Sequence, residues 1–335
     1  MVNQFIRLLL FLLSICGLAH SAKCRSVSLE SGGSHGAYET GVLWQLVESL
    51  PAADVAWDVV TGVSTGSLNT FGVAQFAPGD EKAMVDYIQS IWLNIGSSSS
   101  IFVEWPGGLA AGLLTKPSLY DTSPLRATLQ RSNKHGINRK FVVGTTNLDT
   151  GSFKNFDESV GNSLFVDVVM ASAAAFGFFP PITVEGVLYS DGGAVLNLDV
   201  FSGVERCLEV VSDQSDVVVD MIYDNYNRSL SITTEFNTID VLLRVRHIRS
   251  IDSVTWYTYA AHNAYSDVSF RYTIYPSQKM PGGVEPLNFS RAVMEAEIAL
   301  GKEDAKKAIE QGENGREVIA ENYRRMRSNI FYATD

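Results

Sequence analysis

The sequence predicts an α/β fold, a three-layer α/β/α sandwich with a mainly parallel central sheet. Two segments carry this prediction, residues 26–50 and 55–77. Each begins with a short apolar stretch, continues through a glycine-bearing turn and ends in a helical pattern. Strand–turn–helix units repeated in this way form a parallel sheet with helices on both faces. The composition agrees, since 46% of the 335 residues are hydrophobic and only 19% are charged.

The remaining elements follow from hydrophobic periodicity and from the positions of proline and glycine. Pro124 suits the first turn of one helix, Pro180-Pro181 ends another, and Ser290 is placed to cap the last. Strands are predicted at residues 26–30, 55–61, 141–148, 151–156, 182–190 (as a hairpin), 216–223 and 268–275. Helices are predicted at residues 37–50, 64–77, 81–95, 122–131, 160–175, 234–249, 254–264 and 290–311.

Domain organisation is predicted to be simple. Residues 1–21 have the features of a signal peptide: Arg7, an apolar core over residues 8–18 and small residues before a cleavage point after Ser21. A membrane anchor is the alternative, but the apolar run is shorter than the ~20 residues that span a bilayer. Residues 22–335 contain no linker or repeat, so we expect one catalytic domain in a secreted protein.

Cysteine and charge limit the possible partners. If the signal peptide is removed, Cys24 and Cys207 remain and are a possible disulfide pair. Asn227 and Asn288 begin glycosylation sequons. The net charge of −11 argues against a nucleic-acid partner. No His/Cys cluster has zinc spacing and no calcium-loop pattern occurs, so neither a metal nor another cofactor is expected.

Two glycine-bearing turns are candidates for a serine nucleophile. Gly62-Val63-Ser64-Thr65-Gly66 places Ser64 between small neighbours on a strand-to-helix turn, where the next helix points its N-terminus at the site. Ser31-Gly32-Gly33-Ser34-His35-Gly36 also contains a Gly-x-Ser-x-Gly pattern, so Ser34 is a rival. The consecutive glycines of the first turn, Gly32 and Gly33, suit a backbone that presents its N–H groups to an anion. The first turn is therefore the better candidate for an oxyanion hole, and Ser64 is the better candidate for the nucleophile.

A general base must accompany the nucleophile. Asp191 ends an apolar strand and is followed by Gly192 and Gly193, which leaves its carboxylate uncrowded. The same Asp-Gly pattern is also typical of a plain hairpin turn. His247 and His262 are alternative bases, but their sequence surroundings favour ordinary packed or surface histidines.

Taken together, the three motifs resemble those of the patatin-like phospholipase family. The matching blocks begin at Ser31 and at Gly62, and the third runs from Ala171 through Pro180-Pro181 to Asp191-Gly192-Gly193. The resemblance covers about residues 27–200, and the C-terminal part shows no recognised motif. It implies a patatin-like fold and a Ser–Asp dyad without histidine, carried here by Ser64 and Asp191.

The resemblance also implies an oxyanion hole made by the backbone N–H groups of Gly32, Gly33 and Ser34, with Gly36, Gly62, Gly66, Gly192 and Gly193 supporting the motifs. Two positions depart from the family pattern. Ser31 replaces its usual first glycine, and His35 replaces its usual Arg or Lys.

The leading functional hypothesis is a lipid acyl hydrolase of phospholipase A or lysophospholipase type, acting on lipid or phospholipid at a membrane or micelle interface. One alternative is a secreted storage, defence or binding protein on the same fold. Another is a His-dependent esterase. The apolar segment at residues 105–114 fits a lipid-facing entrance, although a buried helix is the slightly favoured interpretation.

Overall fold

A computed structural model of the chain describes residues 23–225, 237–281 and 286–331. The predicted signal peptide and Asn227 lie outside these residues. The strands are β1 (Cys24–Leu29), β2 (Val59–Val63), β3 (Val103–Glu104), β4 (Tyr120–Asp121), β5 (Lys140–Asn147), β6 (Phe153–Asp157), β7 (Ile182–Val184), β8 (Val187–Asp191), β9 (Val217–Ile222) and β10 (Ser269–Ile274). The α-helices are α1 (Gly36–Ser49), α2 (Ala52–Val55), α3 (Thr65–Val73), α4 (Glu81–Ile95), α5 (Gly108–Thr115), α6 (Ser123–Ser132), α7 (Gly161–Ser172), α8 (Val200–Leu208), α9 (Thr238–Ala264), α10 (Arg291–Gln311) and α11 (Gly315–Phe331).

The central sheet has eight strands in the order β10-β9-β1-β2-β5-β8-β7, with β6 beside β5. Strands β10, β9, β1, β2 and β5 are parallel, whereas β6, β7 and β8 pair antiparallel. Strands β9 and β10, which follow the motif-bearing region, extend this same sheet. The predicted mainly parallel sheet is therefore confirmed.

Two apolar layers cover the two faces of the sheet. Along β9, Val217, Val219 and Met221 belong to one buried cluster, which also includes residues of α8, α9 and α11. Ile222 belongs to the other cluster, to which α1, α3, α4, α7 and α10 contribute. Alternate residues of a strand point to opposite faces, so the sheet is buried on both sides. This is the predicted three-layer α/β/α arrangement.

Strand β5 changes partner along one of its edges, and this change builds the site. Residues 140–144 pair with β2, and residues 145–147 pair with β8. Strand β6 occupies the other edge. Strand β8 therefore takes the place of β2 just beyond Val63, where the chain turns away. As a result, Asp191, the last residue of β8, lies directly beyond the end of β2.

A disulfide joins Cys24 at the start of β1 to Cys207 in α8. Both residues are fully buried. The bridge connects positions 183 residues apart, and cross-links over long loops reduce the entropy of the unfolded chain, typically stabilising the fold by about 2–4 kcal/mol.

Several predicted elements need correction. The second strand begins at Val59 rather than at residue 55, because residues 52–55 form a short helix after Pro51. The helices predicted at 234–249 and 254–264 are one helix, α9, since residues 250–253 contain no Gly or Pro to end it. The prediction lacks helix α11, because six of its 17 residues are charged and few of its described apolar side chains are buried, among them Ile319 and Met326.

The interpretation of residues 105–114 as a buried helix is wrong. Helix α5 covers part of it, but Leu113 and Leu114 are 74% and 78% exposed. Gly112 is the buried residue of α5, because its backbone packs against that of Leu119. Of the helices in the described part of the chain, none has the length and apolar character needed to cross a membrane.

Candidate active site

Ser64 occupies the turn between β2 and α3 in a backbone conformation that is uncommon for a residue with a side chain. Its φ and ψ are 55° and −118°. Such conformations cost free energy and concentrate at functional sites. Close backbone contacts leave no room for a side chain at the flanking positions, Gly62 and Gly66. A Cβ on Gly62 would lie 2.2 Å from the Gly66 carbonyl oxygen, and one on Gly66 would lie 2.4 Å from the Leu29 carbonyl oxygen.

Ser172 at the end of α7 holds this turn. The Ser64 amide donates to Ser172 Oγ at 2.9 Å, and Ser172 Oγ donates to the Gly144 carbonyl at 2.7 Å. The third sequence block contains Ser172, but sequence reasoning gave it no role. Two hydrogen bonds thus fasten the Ser64 turn to α7 and β5.

Asp191 is equally well held at the end of β8. Its Oδ1 accepts from the Gly193 amide at 2.7 Å, and its own amide donates to the Ala174 carbonyl at 3.1 Å. Gly192 lies so close to β5 that a Cβ there would meet the Gly144 carbonyl oxygen at 2.4 Å. The carboxylate is thereby fixed, with Oδ2 left for another partner.

That partner is Ser64, whose Oγ donates to Asp191 Oδ2 at 2.5 Å. Ser64 is 9% exposed and Asp191 only 2%. Burial raises the pKa of Asp191 above its ordinary value, and the hydrogen bonds from Ser64 and Gly193, with the charge of Arg246, oppose this increase. A carboxylate with a raised pKa is a stronger base, as proton removal from a serine requires.

The first glycine turn lies beside this pair. Gly32 and Gly33 line the same cavity, and Gly33 has a φ of 61°. Ser34 is fully buried, and its amide donates to the Pro286 carbonyl at 2.7 Å. The predicted oxyanion hole of three amides therefore needs correction at Ser34, whose N–H group already has a backbone acceptor. The same burial keeps the Ser34 side chain away from the cavity.

Ser31 and His35, the two residues that depart from the family pattern, both contact polar partners in the structure. Ser31 donates its side-chain and backbone hydrogens to the Asn197 side-chain and backbone oxygens, which ties the first glycine turn to the region after Asp191. His35 Nδ1 lies 2.9 Å from Glu297 Oε1 on α10. Both residues therefore make contacts that support the turn.

Gly36 and Asn69 fix the first glycine turn relative to Ser64. A Cβ on Gly36 would meet Thr65 Oγ1 at 2.4 Å, so α1 and α3 approach closely at their starts. Asn69 Nδ2 donates to the Gly36 carbonyl at 2.8 Å and to Glu39 at 2.7 Å. These contacts link the beginnings of the two helices.

The two late histidines have different surroundings. His262 stacks on the Tyr259 ring and is not among the cavity residues. His247 lines the cavity, and burial together with the nearby Arg244 lowers its pKa to about 4. The Ser64 hydroxyl donates to Asp191 rather than to this imidazole.

The cavity around Ser64 has a volume of about 570 Å³. One part of its wall is apolar and includes Leu68, Ile101, Leu125, Phe176, Phe179 and Phe289. Another part is polar or charged and includes Arg246, Arg249, Ser250, Ser253 and Lys279 from the C-terminal region. No group of three or more His, Cys, Asp or Glu side chains in residues 23–225, 237–281 and 286–331 is arranged to hold a metal ion.

An α/β sandwich that brings a strand-end serine against a buried carboxylate has the architecture of a hydrolase. A family model described as patatin-like phospholipase matches residues 27–202, more than half of the chain. The chain therefore belongs to the patatin-like phospholipase family, and its general activity is the hydrolysis of lipid acyl esters.

No match was found among curated proteins. Among solved structures, VipD from Legionella pneumophila is similar, with 12% identity, coverage of 87% of this chain and 67% of VipD, and a TM-score of 0.39.

Proposed function

We propose that this chain is a phospholipase A or lysophospholipase that uses Ser64 as the nucleophile and Asp191 as the base. The observation that carries the proposal is the 2.5 Å hydrogen bond from Ser64 Oγ to Asp191 Oδ2, in a cavity with an apolar wall. Release of fatty acid from phospholipid by the purified protein, compared with a Ser64→Ala variant, tests it.

The proposed reaction has two halves. Ser64 Oγ attacks the acyl carbonyl carbon while its proton passes to Asp191, and the tetrahedral oxyanion accepts hydrogen bonds from the Gly32 and Gly33 amides. The carbon–oxygen bond to the alcohol then breaks, and Asp191 returns the proton to the departing oxygen. This leaves an acyl ester on Ser64.

In the second half of the reaction, water hydrolyses the acyl ester on Ser64. A water molecule gives its proton to Asp191 and attacks the acyl carbon, and the second tetrahedral intermediate collapses to fatty acid as Ser64 Oγ regains the proton. Each half thus uses the same base and the same oxyanion donors. The N-terminus of α3 adds a favourable partial charge because Ser64 immediately precedes that helix.

Exposed leucines support action at a lipid surface. Gly112 of α5 packs on Leu119, whose amide donates to the Gly177 carbonyl, and Phe176 next to Gly177 lines the cavity. Helix α5 is therefore attached to the cavity wall, with Leu113 and Leu114 in solvent. We propose that these side chains enter the lipid phase.

Replacing both Leu113 and Leu114 with serine is expected to lower vesicle binding by at least about tenfold, because two apolar side chains no longer leave water. Hydrolysis of vesicle phospholipid should fall with it, while hydrolysis of a soluble short-chain ester should not. Val210→Ser is the matched control, since Val210 is also an exposed apolar residue. Equal vesicle binding by the double variant and the wild type would contradict the role of α5.

We also propose that the protein is secreted after cleavage behind Ser21 and carries glycan. The Cys24–Cys207 disulfide supports an oxidising compartment, and Asn288 is exposed. The protein recovered from the medium of a eukaryotic host should begin at Ala22 by N-terminal sequencing and lose mass on treatment with an N-glycosidase. A product that begins at Met1 would contradict this proposal.

A further inference from the structure

Glu30 and Ser31, at the start of the first glycine turn, connect the three turns that build the active site. The Glu30 carbonyl accepts from the Gly66 amide at 3.1 Å, which joins this short segment to the turn of the nucleophile. The Ser31 amide donates to the Asn197 carbonyl at 2.9 Å, which joins it to the segment that follows the general base. The glycines of the oxyanion hole come next in the chain. A shift at position 31 therefore moves the oxyanion donors relative to both reacting side chains.

The side chain of Ser31 adds a contact that a glycine cannot make. Its hydroxyl donates to Asn197 Oδ1, so the two residues are joined by two hydrogen bonds, one between backbones and one between side chains. Asn197 is only 5% exposed and Ser31 is half-buried. A hydrogen bond shielded from water in this way is stronger than one at the surface. Because Ser31 replaces the usual first glycine of the family pattern, the bond between side chains comes from this chain's own sequence.

Gly193 places this pair against the general base. Its amide is the group that holds Asp191 Oδ1, at 2.7 Å. A Cβ at this position would lie 2.7 Å from Asn197 Oδ1, 3.0 Å from Asp191 Oδ1 and 3.3 Å from Ser31 Oγ. The serine hydroxyl, the asparagine amide and the carboxylate therefore surround one glycine. The position of the first glycine turn and the position of the carboxylate depend on the same contacts.

We propose that Ser31 is a positioning residue that acts through Asn197 and fixes the oxyanion donors relative to Asp191. The donors are the amides of Gly32 and Gly33, which follow it directly in the chain. The inference rests on the proposed function and adds a residue to its machinery. The Ser31 hydroxyl donates to Asn197, so its hydrogen is not available to the oxyanion. Donors must stay where charge develops in the transition state, and a misplacement of about 1 Å can cost about 10²-fold in rate.

Three substitutions of Ser31 test the role of its hydroxyl. Ser31→Ala and Ser31→Gly both remove the bond to Asn197, and the second restores the residue of the family pattern. We expect each to lower kcat on a soluble short-chain ester about tenfold and to leave KM within about twofold of wild type, because the donors act on the transition state. Ser31→Thr keeps a hydroxyl and should recover most of the loss. Rates are expressed per site labelled by a fluorophosphonate at completion, so unfolded protein does not contribute.

A double-mutant cycle shows whether the two side chains act together. Asn197→Ala removes the acceptor of the Ser31 hydroxyl and should lower kcat by a similar factor. If the pair acts as a unit, the Ser31→Ala/Asn197→Ala protein should be only slightly slower than either single variant, whereas independent effects would multiply to about 10²-fold. Multiplied losses would overturn the proposal. A loss in Ser31→Ala with none in Asn197→Ala would also overturn it, because the hydroxyl would then act without its partner.

Ser202 and Asn155 provide a matched control. They form another hydrogen bond between a serine and an asparagine, in which Asn155 Nδ2 donates to Ser202 Oγ at 2.7 Å, and neither residue is among those that line the cavity. Ser202→Ala should therefore keep the wild-type kcat. A wild-type kcat in Ser31→Ala and Ser31→Gly, or an equal loss in Ser202→Ala, would overturn the positioning role. If the wild type hydrolyses no ester, or if Ser64→Ala hydrolyses it equally well, the proposed function itself fails.

Discussion

Alanine in place of Ser64 is expected to abolish lipid hydrolysis, with a loss on the order of 10⁴-fold or more in kcat, as for other nucleophile deletions. The cavity and the glycine turn should survive, because Ser64 contributes only its hydroxyl to the reaction. Fatty acid released from phospholipid and from a soluble ester should both fall to the background rate. The measurement is the initial rate of fatty acid release by mass spectrometry, with folding checked by circular dichroism.

Ser34→Ala is the matched control for this experiment. Ser34 also lies in a Gly-x-Ser-x-Gly pattern, but its side chain is buried away from the cavity. The Ser34→Ala protein should therefore still hydrolyse ester. An active Ser64→Ala protein together with an inactive Ser34→Ala protein would identify Ser34 as the nucleophile instead of Ser64.

The second large effect is expected from Asp191→Asn, which keeps the shape of the side chain but removes the base. General-base assistance is typically worth 10²–10⁴-fold, and residues that act as a unit lose nearly the whole effect together. We expect kcat/KM on a soluble ester to fall at least 10²-fold. The His247→Ala and His262→Ala proteins should keep most of their activity, because Ser64 donates to Asp191.

The pH profile provides an independent sign of the same base. Asp191 acts only when it is deprotonated, so the rate should rise with pH as the carboxyl loses its proton. Burial raises the pKa of Asp191. The increase in rate should therefore occur at a higher pH than it would for an ordinary aspartate. A fully active Asp191→Asn protein, with an inactive His247→Ala protein, would replace the dyad by a histidine-based site.

Local sequence signals sufficed for the candidate pair and for most of the sheet. Ser64 follows an apolar strand between two glycines, and Asp191 ends another strand before two glycines, so each turn is visible in the sequence. Helix α4 occurs as predicted, at Glu81–Ile95, because the amphipathic pattern begins after the Pro78-Gly79 break. Such features depend on neighbours a few residues away.

Features that depend on distant contacts could not be predicted. Strand β8 meets Ser64 only because β5 changes partner from β2 to β8, a pairing that local patterns do not encode. The amide of Ser34 donates a hydrogen bond to the carbonyl of Pro286, more than 250 positions away in the sequence. Likewise, the sequence shows Arg246 only as a neighbour of His247. Its position in the cavity wall depends on the packing of α9 and could not be predicted.

The most direct test of the Ser64–Asp191 assignment is peptide mapping after reaction with a fluorophosphonate, which forms a bond to an activated serine oxygen as fluoride leaves. We predict an adduct on the peptide that contains Ser64 in the wild type and in Ser34→Ala, and greatly slowed labelling in Asp191→Asn. An adduct on the Ser34 peptide, or labelling of Ser64 at the wild-type rate in Asp191→Asn, would contradict the account.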